Sequence, residues 1–218
     1  MEVPLNLLFK IGIVILAVGL ALAVVPFKDE IVRTENKITI SDWEVSWYYL
    51  QSDPMEEGFT SSYLRTSAIY LGNSTFPPVF WYNWGDEPVF EGFGDQIGFI
   101  ARAEMTMPID GYVKFEVASA DGARLYIDGE LIIDIWETRW GQSVGSGSAT
   151  VEVKAGKHEL ELQVYCWGWA VAGFNPDLNI MVLEKRSDPL IGLGVACVGG
   201  VLMAIDRLKA SSKPKGSQ

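Results

Sequence analysis

Two long apolar segments, one near each end of the chain, constrain the fold more than any other feature. Residues 11–27 read IGIVILAVGLALAVVPF, residues 189–205 read PLIGLGVACVGGVLMAI, and each run of 17 residues lacks a charged side chain. A helix that crosses a bilayer needs about 20 predominantly apolar residues, with a range of about 17–25. Both segments therefore qualify as transmembrane helices, and residues 28–188 between them must fold in water.

The first apolar segment has a second interpretation. A secretory signal peptide also contains an apolar stretch, and Ala21-Leu22-Ala23 resembles a small-residue cleavage site. The region before the stretch is long for a signal peptide and contains Glu2 and Pro4, which favours a retained anchor. We predict a transmembrane anchor over residues 1–27, with a cleaved signal peptide as the alternative.

The charged residues predict an orientation. Residues 28–188 hold 26 acidic and 12 basic residues, a net charge of −14 within a chain of net charge −11. After residue 205 the chain carries one acid and four bases, a net charge of +3; these are Asp206, Arg207, Lys209, Lys213 and Lys215. Basic flanks favour the cytoplasmic side of a membrane. We predict a second transmembrane helix over residues 189–206, a cytoplasmic tail over residues 207–218, both termini inside the cell and the acidic region outside.

Small residues recur every four positions in the second apolar segment, at Gly192, Ala196, Gly200 and Ala204. Such a stripe allows two helices to approach closely in lipid, although Gly and Ala are also common in transmembrane helices. The stripe predicts packing against the first helix or a homo-oligomer formed through the second.

Strand patterns dominate the region between the apolar segments. Apolar residues alternate with polar ones, or β-branched and aromatic residues cluster, over residues 43–50, 97–107 and 111–119. Residues 125–127 and 131–133 flank Asp128-Gly129, the signature of a two-residue hairpin turn. Many short strands separated by glycine-bearing turns are typical of a sandwich or barrel. We predict an all-β fold, an antiparallel β-sandwich over residues 28–188.

Several segments carry a resemblance to a known family. The longest reads ADGARLYIDGELIIDIW at residues 120–136; the others are MPIDGYVKF at 107–115, VKAGKHEL at 153–160, FWYNWG at 80–85 and DQIGF at 95–99. Together they resemble the fourteen-kilodalton protective antigen domain over residues 43–184, most specifically over residues 111–136. The resemblance implies a β-sandwich whose loops bind carbohydrate.

The same resemblance bears on calcium. In the adhesin branch of the family, two consecutive aspartates hold a calcium ion that coordinates sugar hydroxyls. Here Ala120 stands before Asp121, so one aspartate of the pair is missing. Because calcium takes six to eight oxygen ligands, the loss of a carboxylate weakens such a site. We predict weak or absent calcium dependence, with Asp121 as the candidate metal ligand.

Alternate loops of a sandwich gather at one end, which predicts where a ligand binds. The expected rim supplies a carboxylate, an amide and exposed rings; its candidate residues are Asp121, Gly122, Trp136, Trp140, Trp169 and Asn175. The alternative for Asp121-Gly122 and for Asn175 is a purely structural turn. On the binding interpretation, Asp121→Ala should abolish glycan binding and leave the melting temperature nearly unchanged.

For the aromatic residues of the strands we predict packing and not ligand binding. Phe80, Trp81, Tyr82 and Trp84 fall within five positions of one strand-like segment, and we assign them to the core.

Composition excludes several function classes. The chain has one histidine, two cysteines and no basic footprint, which argues against a catalytic His/Cys site and against nucleic-acid binding. We therefore predict a non-catalytic cell-surface protein that binds carbohydrate, with the lipid bilayer as its second partner. The alternative is a structural or protein-interaction subunit of an envelope or membrane assembly.

Overall fold

The computed structural model describes residues 5–24, 28–54, 58–139, 143–187 and 189–211. Within them, in chain order, the elements are α1 (Leu5–Val24), β1 (Lys28–Lys37), β2 (Thr39–Ile40), β3 (Trp43–Leu50), α2 (Ser61–Thr66), β4 (Ala68–Phe76), β5 (Phe80–Gly85), β6 (Ile97–Met107), β7 (Gly111–Ser119), β8 (Ala123–Ile127), β9 (Glu130–Asp134), β10 (Gly145–Val153), β11 (Gly156–Cys166), β12 (Ala170–Phe174), β13 (Asn179–Arg186) and α3 (Pro189–Ser211). The chain divides into two compact units. One contains the helices α1 and α3, and the other, Arg33–Val182, contains the sandwich.

In the helical unit, α1 and α3 pack through small residues. A Cβ atom built on Gly19 of α1 would lie 2.7 Å from the carbonyl oxygen of Gly192, and one built on Gly199 of α3 would lie 2.6 Å from that of Gly12. These distances are shorter than any side chain tolerates, so glycine allows the two backbones to come together.

The predicted stripe of small residues follows this contact for two of its four members. Gly192 and Ala196 face α1, whereas a Cβ on Gly200 would meet nothing within 4 Å and Ala204 is exposed. The contact continues through Gly199 instead. An α-helix has 3.6 residues per turn, so a strict spacing of four residues rotates away from a neighbour by about 40° per step.

By length and composition, α1 is the one described helix that could cross a membrane. Its segment Leu7–Val24 has a mean hydropathy of 2.7, and the apolar part of α3, Pro189–Ile205, is shorter. The second membrane-spanning helix therefore stays a prediction.

Two antiparallel sheets form the sandwich, as the sequence predicted. In the first, β12 and β13 pair with successive parts of one edge of β7, β10 pairs with its opposite edge, and β5 and β1 pair with β12 and β13. The second has the order β4–β3–β6–β11–β8–β9, with β2 paired to β6. Strands adjacent in sequence often lie in different sheets, so the chain crosses repeatedly between the layers.

The main core lies between the two sheets and is rich in aromatic rings. Trp43 of β3 is fully buried, and its ring centroid lies 4.8 Å from that of Phe174, which belongs to the opposite sheet. The Nε1–H of Trp43 donates to the carbonyl oxygen of Pro78 at 3.3 Å. Edge-to-face ring contacts of this kind add to the free energy gained by burying apolar area.

A second, smaller core covers part of the outer face of the second sheet. Ile100 and Tyr165 alternate with residues that face the main core, so they point to the opposite side of β6 and β11. Phe59 and Tyr63 cover them from the segment that leads into α2 and from α2 itself, and all four side chains are buried. The short helix thus exists to cover this apolar patch.

The strands with strong alternation were predicted correctly. β3, β6 and β7 have the predicted bounds, and the Asp128-Gly129 turn joins β8 to β9 with both residues at positive φ, 51° and 82°. β1, β4 and β12 were missed. β1 is highly charged, β4 contains a bulge near Gly72, and β12 (AVAGF) has no polar residue to alternate with, so none shows a period of two.

The Asp128-Gly129 turn is tied to β11 through charged groups. One carboxylate oxygen of Asp128 accepts the backbone N–H of Glu159 at 2.9 Å, and the other lies 2.7 Å from Nδ1 of His158. Nε2 of the same ring lies 2.8 Å from the carbonyl oxygen of Lys154. A neutral imidazole carries one N–H, so only the protonated ring can donate to both acceptors.

This geometry moves the pKa of both partners. Burial lowers the pKa of His158, but its hydrogen bonds to Asp128 and to the Lys154 carbonyl outweigh burial, and the pKa is raised. Burial raises the pKa of Asp128, but the hydrogen bonds from His158 and Glu159 outweigh it, and this pKa is lowered. The ion pair therefore persists from below the ordinary pKa of an aspartate to above that of a histidine.

We expect the free energy of unfolding to fall as the pH rises through the raised pKa of His158. The contribution of the pair is fully present below the unfolded-state pKa of about 6.5 and is lost when the folded-state imidazole deprotonates. Because Asp128 is half exposed, about 0.5–1 kcal/mol is expected. Urea unfolding of the full chain in detergent, at about pH 5.5 and about pH 8.5, measures it. His158→Gln should show a smaller pH difference; an unchanged difference would contradict the assignment.

Candidate functional site

Three crossings between the sheets lie together at one end of the sandwich. Residues 120–122 join β7 to β8, residues 135–144 join β9 to β10, and residues 167–169 join β11 to β12. Each crossing connects a strand of one sheet to a strand of the other. We call the described residues of these segments the Asp121 end, since the predicted binding residue Asp121 lies in the first of them.

The carboxylate of Asp121 ties the three crossings to each other. Oδ1 accepts the backbone N–H of Arg139 at 2.7 Å, and Oδ2 accepts the backbone N–H of Trp167 at 2.6 Å. The guanidinium of Arg139 returns to the first crossing and donates to the backbone carbonyl oxygen of Asp121. One side chain in the first crossing thus holds the main chain of the other two.

Asp121 is buried, with 2 % of its surface exposed, and burial has an electrostatic consequence. Burial raises the pKa of this carboxyl group, and it outweighs the N–H groups of Trp167 and Arg139 and the Arg139 charge, which lower it. Hydrogen bonds to a buried carboxylate compensate part of the cost of removing its charge from water.

The sequence predicted Asp121 and Gly122 as part of a binding rim, whereas the Asp121 side chain is buried. Gly122 is also buried, and a Cβ on it would lie 2.7 Å from Cδ1 of Tyr165 and 3.0 Å from Cδ2 of Trp136. Asp121 faces inward because its two oxygens satisfy main-chain donors that the crossings leave without strand partners. The structural alternative for Asp121-Gly122 is thus the one that the geometry favours.

Trp136 is half-buried and packs over the smaller core. Its ring centroid lies 4.7 Å from that of Tyr165 and 5.2 Å from that of Phe59, and the guanidinium carbon of Arg124 lies 4.9 Å from it. A ring with neighbours on several sides contributes to packing.

Trp169 is half-buried as well, and Trp140 lies outside the described residues. Trp169 packs against the main core, and its Nε1 lies close to Gly85, where a Cβ would approach it to 3.5 Å. Gly85 has a φ of 63°, a left-handed conformation that glycine adopts without strain.

Asn175 is exposed but does not join the Asp121 end. It follows β12 and exchanges backbone hydrogen bonds with Glu116, at 2.9 Å and 3.1 Å. Glu116 lies three residues before the end of β7, about 10 Å of strand. β12 runs away from the crossing at residues 167–169, and the residue after its last position is therefore distant from Asp121.

Sequence reasoning missed a polar chain that supports the Asp121 end. The hydroxyl of Thr138 donates to Asp53 at 2.9 Å and lies 2.9 Å from the hydroxyl of Tyr165. Burial raises the pKa of Tyr165 to about 12, so the phenol stays protonated. These residues are far apart in sequence, and no local pattern points to them.

One further prediction was wrong, because Trp81 does not lie in the core. Its side chain is 62 % exposed, while Phe80 is buried and Tyr82 is half-buried. In a strand, successive side chains point to opposite faces, so a run of adjacent aromatics cannot all face one core.

The residues around Asp121 do not fit a calcium ion. Calcium requires six to eight oxygen ligands, whereas the groups that contact Asp121 are two backbone N–H donors at its carboxylate and a guanidinium at its carbonyl oxygen. Among the described residues, no group of three His, Cys, Asp or Glu side chains is arranged to hold a metal.

Part of the sandwich matches a known family model. The family model for the PA14 domain matches residues 67–169, which run from the start of β4 to the crossing before β12. The described fold in this range, two antiparallel sheets with the Asp121 end, is the all-β sandwich that the sequence predicted. Among curated proteins, none matches the chain.

Several solved structures resemble the fold. An anti-sigma factor domain-containing protein has a TM-score of 0.49 and 18 % identity, covering 66 % of this chain and 44 % of its own. Another, from Clostridium clariflavum, has a TM-score of 0.47 and 18 % identity, with 74 % and 51 % covered. The A domain of epithelial adhesin 9 from Candida glabrata, solved in complex with Galβ1-4GlcNAc, has a TM-score of 0.45 and 9 % identity, with 75 % and 99 % covered. The chain spans about half the length of the first two.

We expect Asp121→Ala to destabilise the sandwich strongly, contrary to the expectation from sequence. The change leaves the buried N–H groups of Arg139 and Trp167 without an acceptor and should lower the free energy of unfolding by about 2–4 kcal/mol. Asp121→Asn keeps one acceptor oxygen and should lose about half as much. Urea unfolding of the full chain measures both.

Asp42→Ala, which removes an exposed carboxylate, is the matched control and should change the free energy of unfolding by less than about 0.5 kcal/mol. If Asp121→Ala is as stable as this control, Asp121 does not hold the crossings together.

Proposed function

We propose that this chain is a carbohydrate-binding protein of the PA14 type, whose sandwich is held at the cell surface by membrane-spanning helices. The observation that carries the proposal is the match of residues 67–169 to the PA14 domain. The resemblance over residues 43–184 extends the same interpretation to nearly the whole sandwich. Under this proposal the sandwich recognises a glycan outside the cell and the helices keep it there.

The reactive groups of the sandwich support binding rather than catalysis. Burial raises the pKa of the Cys166 thiol to about 12, so no thiolate nucleophile forms at neutral pH. His158 is engaged by Asp128 and by a backbone carbonyl, and the Asp121 carboxylate accepts main-chain N–H groups. None of these groups is placed to attack a substrate or to move a proton to it.

The charge of the sandwich favours neutral glycans. Residues 28–188 carry a net charge of −14, and this field repels polyanions such as sulfated or uronic-acid polysaccharides. A neutral glycan is bound through hydroxyl groups and ring faces, for which this charge is no obstacle.

The proposed topology has two membrane-spanning helices, α1 and the apolar part of α3, and both termini in the cytoplasm. The net charge of +3 after residue 205 supports a cytoplasmic tail, and the glycine contacts between α1 and α3 are of the kind that pairs helices in lipid.

The topology is tested with a tag on each terminus. Protease added to intact cells should degrade the sandwich, because it lies outside. The immunoblot signal of both tags should stay undiminished. Permeabilised cells are the control and should lose both tags. An N-terminal tag that is absent from the mature protein would show that the first apolar segment is a cleaved signal peptide.

Glycan binding is tested with the full chain in detergent on an array of neutral, sialylated and sulfated glycans. We expect signals on neutral glycans only, and the same signals in the presence of EDTA, since the residues around Asp121 do not fit calcium. Heat-unfolded chain is the control for adsorption. An array without specific signals would reject carbohydrate binding in favour of a protein-interaction subunit, and signals abolished by EDTA would contradict calcium independence.

A further inference from the structure

The outer face of the first sheet carries a groove that none of the predicted site residues except Asn175 reaches. Its volume is about 620 Å³, within the range of small-molecule sites. We call it the Trp81 groove; the residues that define it are Trp81, Glu116, Ala118, Ser146, Gly173 and Asn175. All of them lie in the sandwich unit.

Strand register places the centre of the groove in one row across the sheet. Gly173 of β12 is opposite Trp81 of β5 on one side and Ala118 of β7 on the other. Ser146 of β10 is in turn opposite Ala118. Directly opposite residues point to the same face of a sheet. A large ring, two very small residues and a hydroxyl therefore follow each other along one line.

The small residues form a floor on which the indole lies. A Cβ on Gly173 would be 2.5 Å from Cε3 and 2.9 Å from Cζ3 of Trp81, so the ring extends across the Gly173 backbone. The ring is nevertheless 62 % exposed, because its other side is open to water. An apolar ring held in this way is a preformed platform, and its exposure leaves it available for contact with a ligand.

Polar groups flank the platform in the next row. Glu116 is opposite Ser148 in the register of β7 and β10, and it exchanges backbone hydrogen bonds with Asn175 on the other side. The Asn175 amide lies 3.4 Å from the Glu116 carboxylate, which Lys114 contacts at 2.5 Å. The hydrogen bond from Lys114 lowers the pKa of Glu116, so the groove holds a carboxylate, an amide and hydroxyls at neutral pH.

We propose that the Trp81 groove binds a segment of a neutral, extended β-linked glycan, with one sugar ring stacked on Trp81 and its hydroxyls bonded to Glu116, Asn175 and the β10 serines. This inference rests on the proposed function and assigns it a site on the sheet face, away from the Asp121 end. The groove crosses four strands on an open sheet face, which suits an internal segment of a chain better than a single terminal sugar.

The chemistry of the groove selects the ligand class. In a β-linked glucan or chitin chain the substituents are equatorial, which leaves flat faces of C–H groups that match an indole. The carboxylate of Glu116 accepts hydrogen bonds from hydroxyls, and the net charge of −14 over residues 28–188 repels uronates. No metal is needed for either contact.

The test uses full chain in detergent with cellohexaose and chitohexaose as probes, and a galacturonate hexamer as the acidic counterpart, by titration calorimetry. We expect binding of at least one neutral probe and none of the acidic one. Trp81→Ala should weaken neutral-probe binding by about tenfold or more. Tyr70→Ala is the matched control, since Tyr70 is an exposed aromatic (54 %) on β4 of the other sheet, and should leave binding unchanged.

Gly173→Ala is a second variant. It keeps the Trp81 indole but adds a methyl group where the ring lies over the Gly173 backbone, so the ring is displaced and binding should weaken. Thermal unfolding of each variant checks that the sandwich is intact. If the array detects glycans but Trp81→Ala and Gly173→Ala bind them as the unaltered chain does, the groove is not the site while the proposed function stands. If the array shows no glycan binding at all, the proposed function fails and the groove assignment fails with it.

Discussion

The buried carboxylate of Asp121 is the interaction on which this end of the sandwich depends. A sandwich whose chain crosses repeatedly between sheets leaves main-chain N–H groups at each crossing without a strand partner, and a buried unsatisfied donor is costly. Asp121 lies in one crossing and satisfies such donors in the two others. Its two carboxylate oxygens accept the backbone N–H groups of Arg139 and Trp167. The return bond from the Arg139 side chain to the Asp121 carbonyl closes the network.

That role has a consequence for where a ligand can bind. The Asp121 carboxylate is only 2 % exposed and is closed to a ligand from solvent, and Gly122 beside it is packed under Tyr165 and Trp136. Stability at the Asp121 end therefore competes with recognition there. On the outer face of the first sheet, the side chains next to Trp81 are not needed to hold loops together. Gly173 and Ala118 leave space there for the exposed Trp81 ring.

The two outer faces of the sandwich differ because their cross-strand residues differ. On the second sheet, Ile100 and Tyr165 point outward, and apolar side chains of this size must be covered, which Phe59 and Tyr63 do. On the first sheet the outward positions next to Trp81 are small or polar, as at Gly173, Ala118 and Ser146. One sheet thus needs a helix over it, and the other can remain open to solvent.

Sequence alone determined the class of the fold and the location of its most regular strands. In β3, β6 and β7 the alternation of buried and outward side chains with a period of two indicates a strand that is buried on one face. An Asp-Gly pair between apolar runs indicates a hairpin. Both signals depend only on residues that are neighbours in sequence. The apolar character of α1 and of the start of α3 is equally local, since it depends on composition alone.

Only the tertiary structure decided which of the polar and aromatic residues face solvent. The sequence predicted Asp121 as a ligand-binding or turn residue and Trp81 as a core residue, and the structure buries Asp121 and exposes Trp81. The burial of Asp121 depends on partners 18 and 46 positions away, and the exposure of Trp81 depends on Gly173 in a different strand. Such contacts are set by strand register and by crossings between sheets, and a residue's immediate neighbours in sequence carry no record of them.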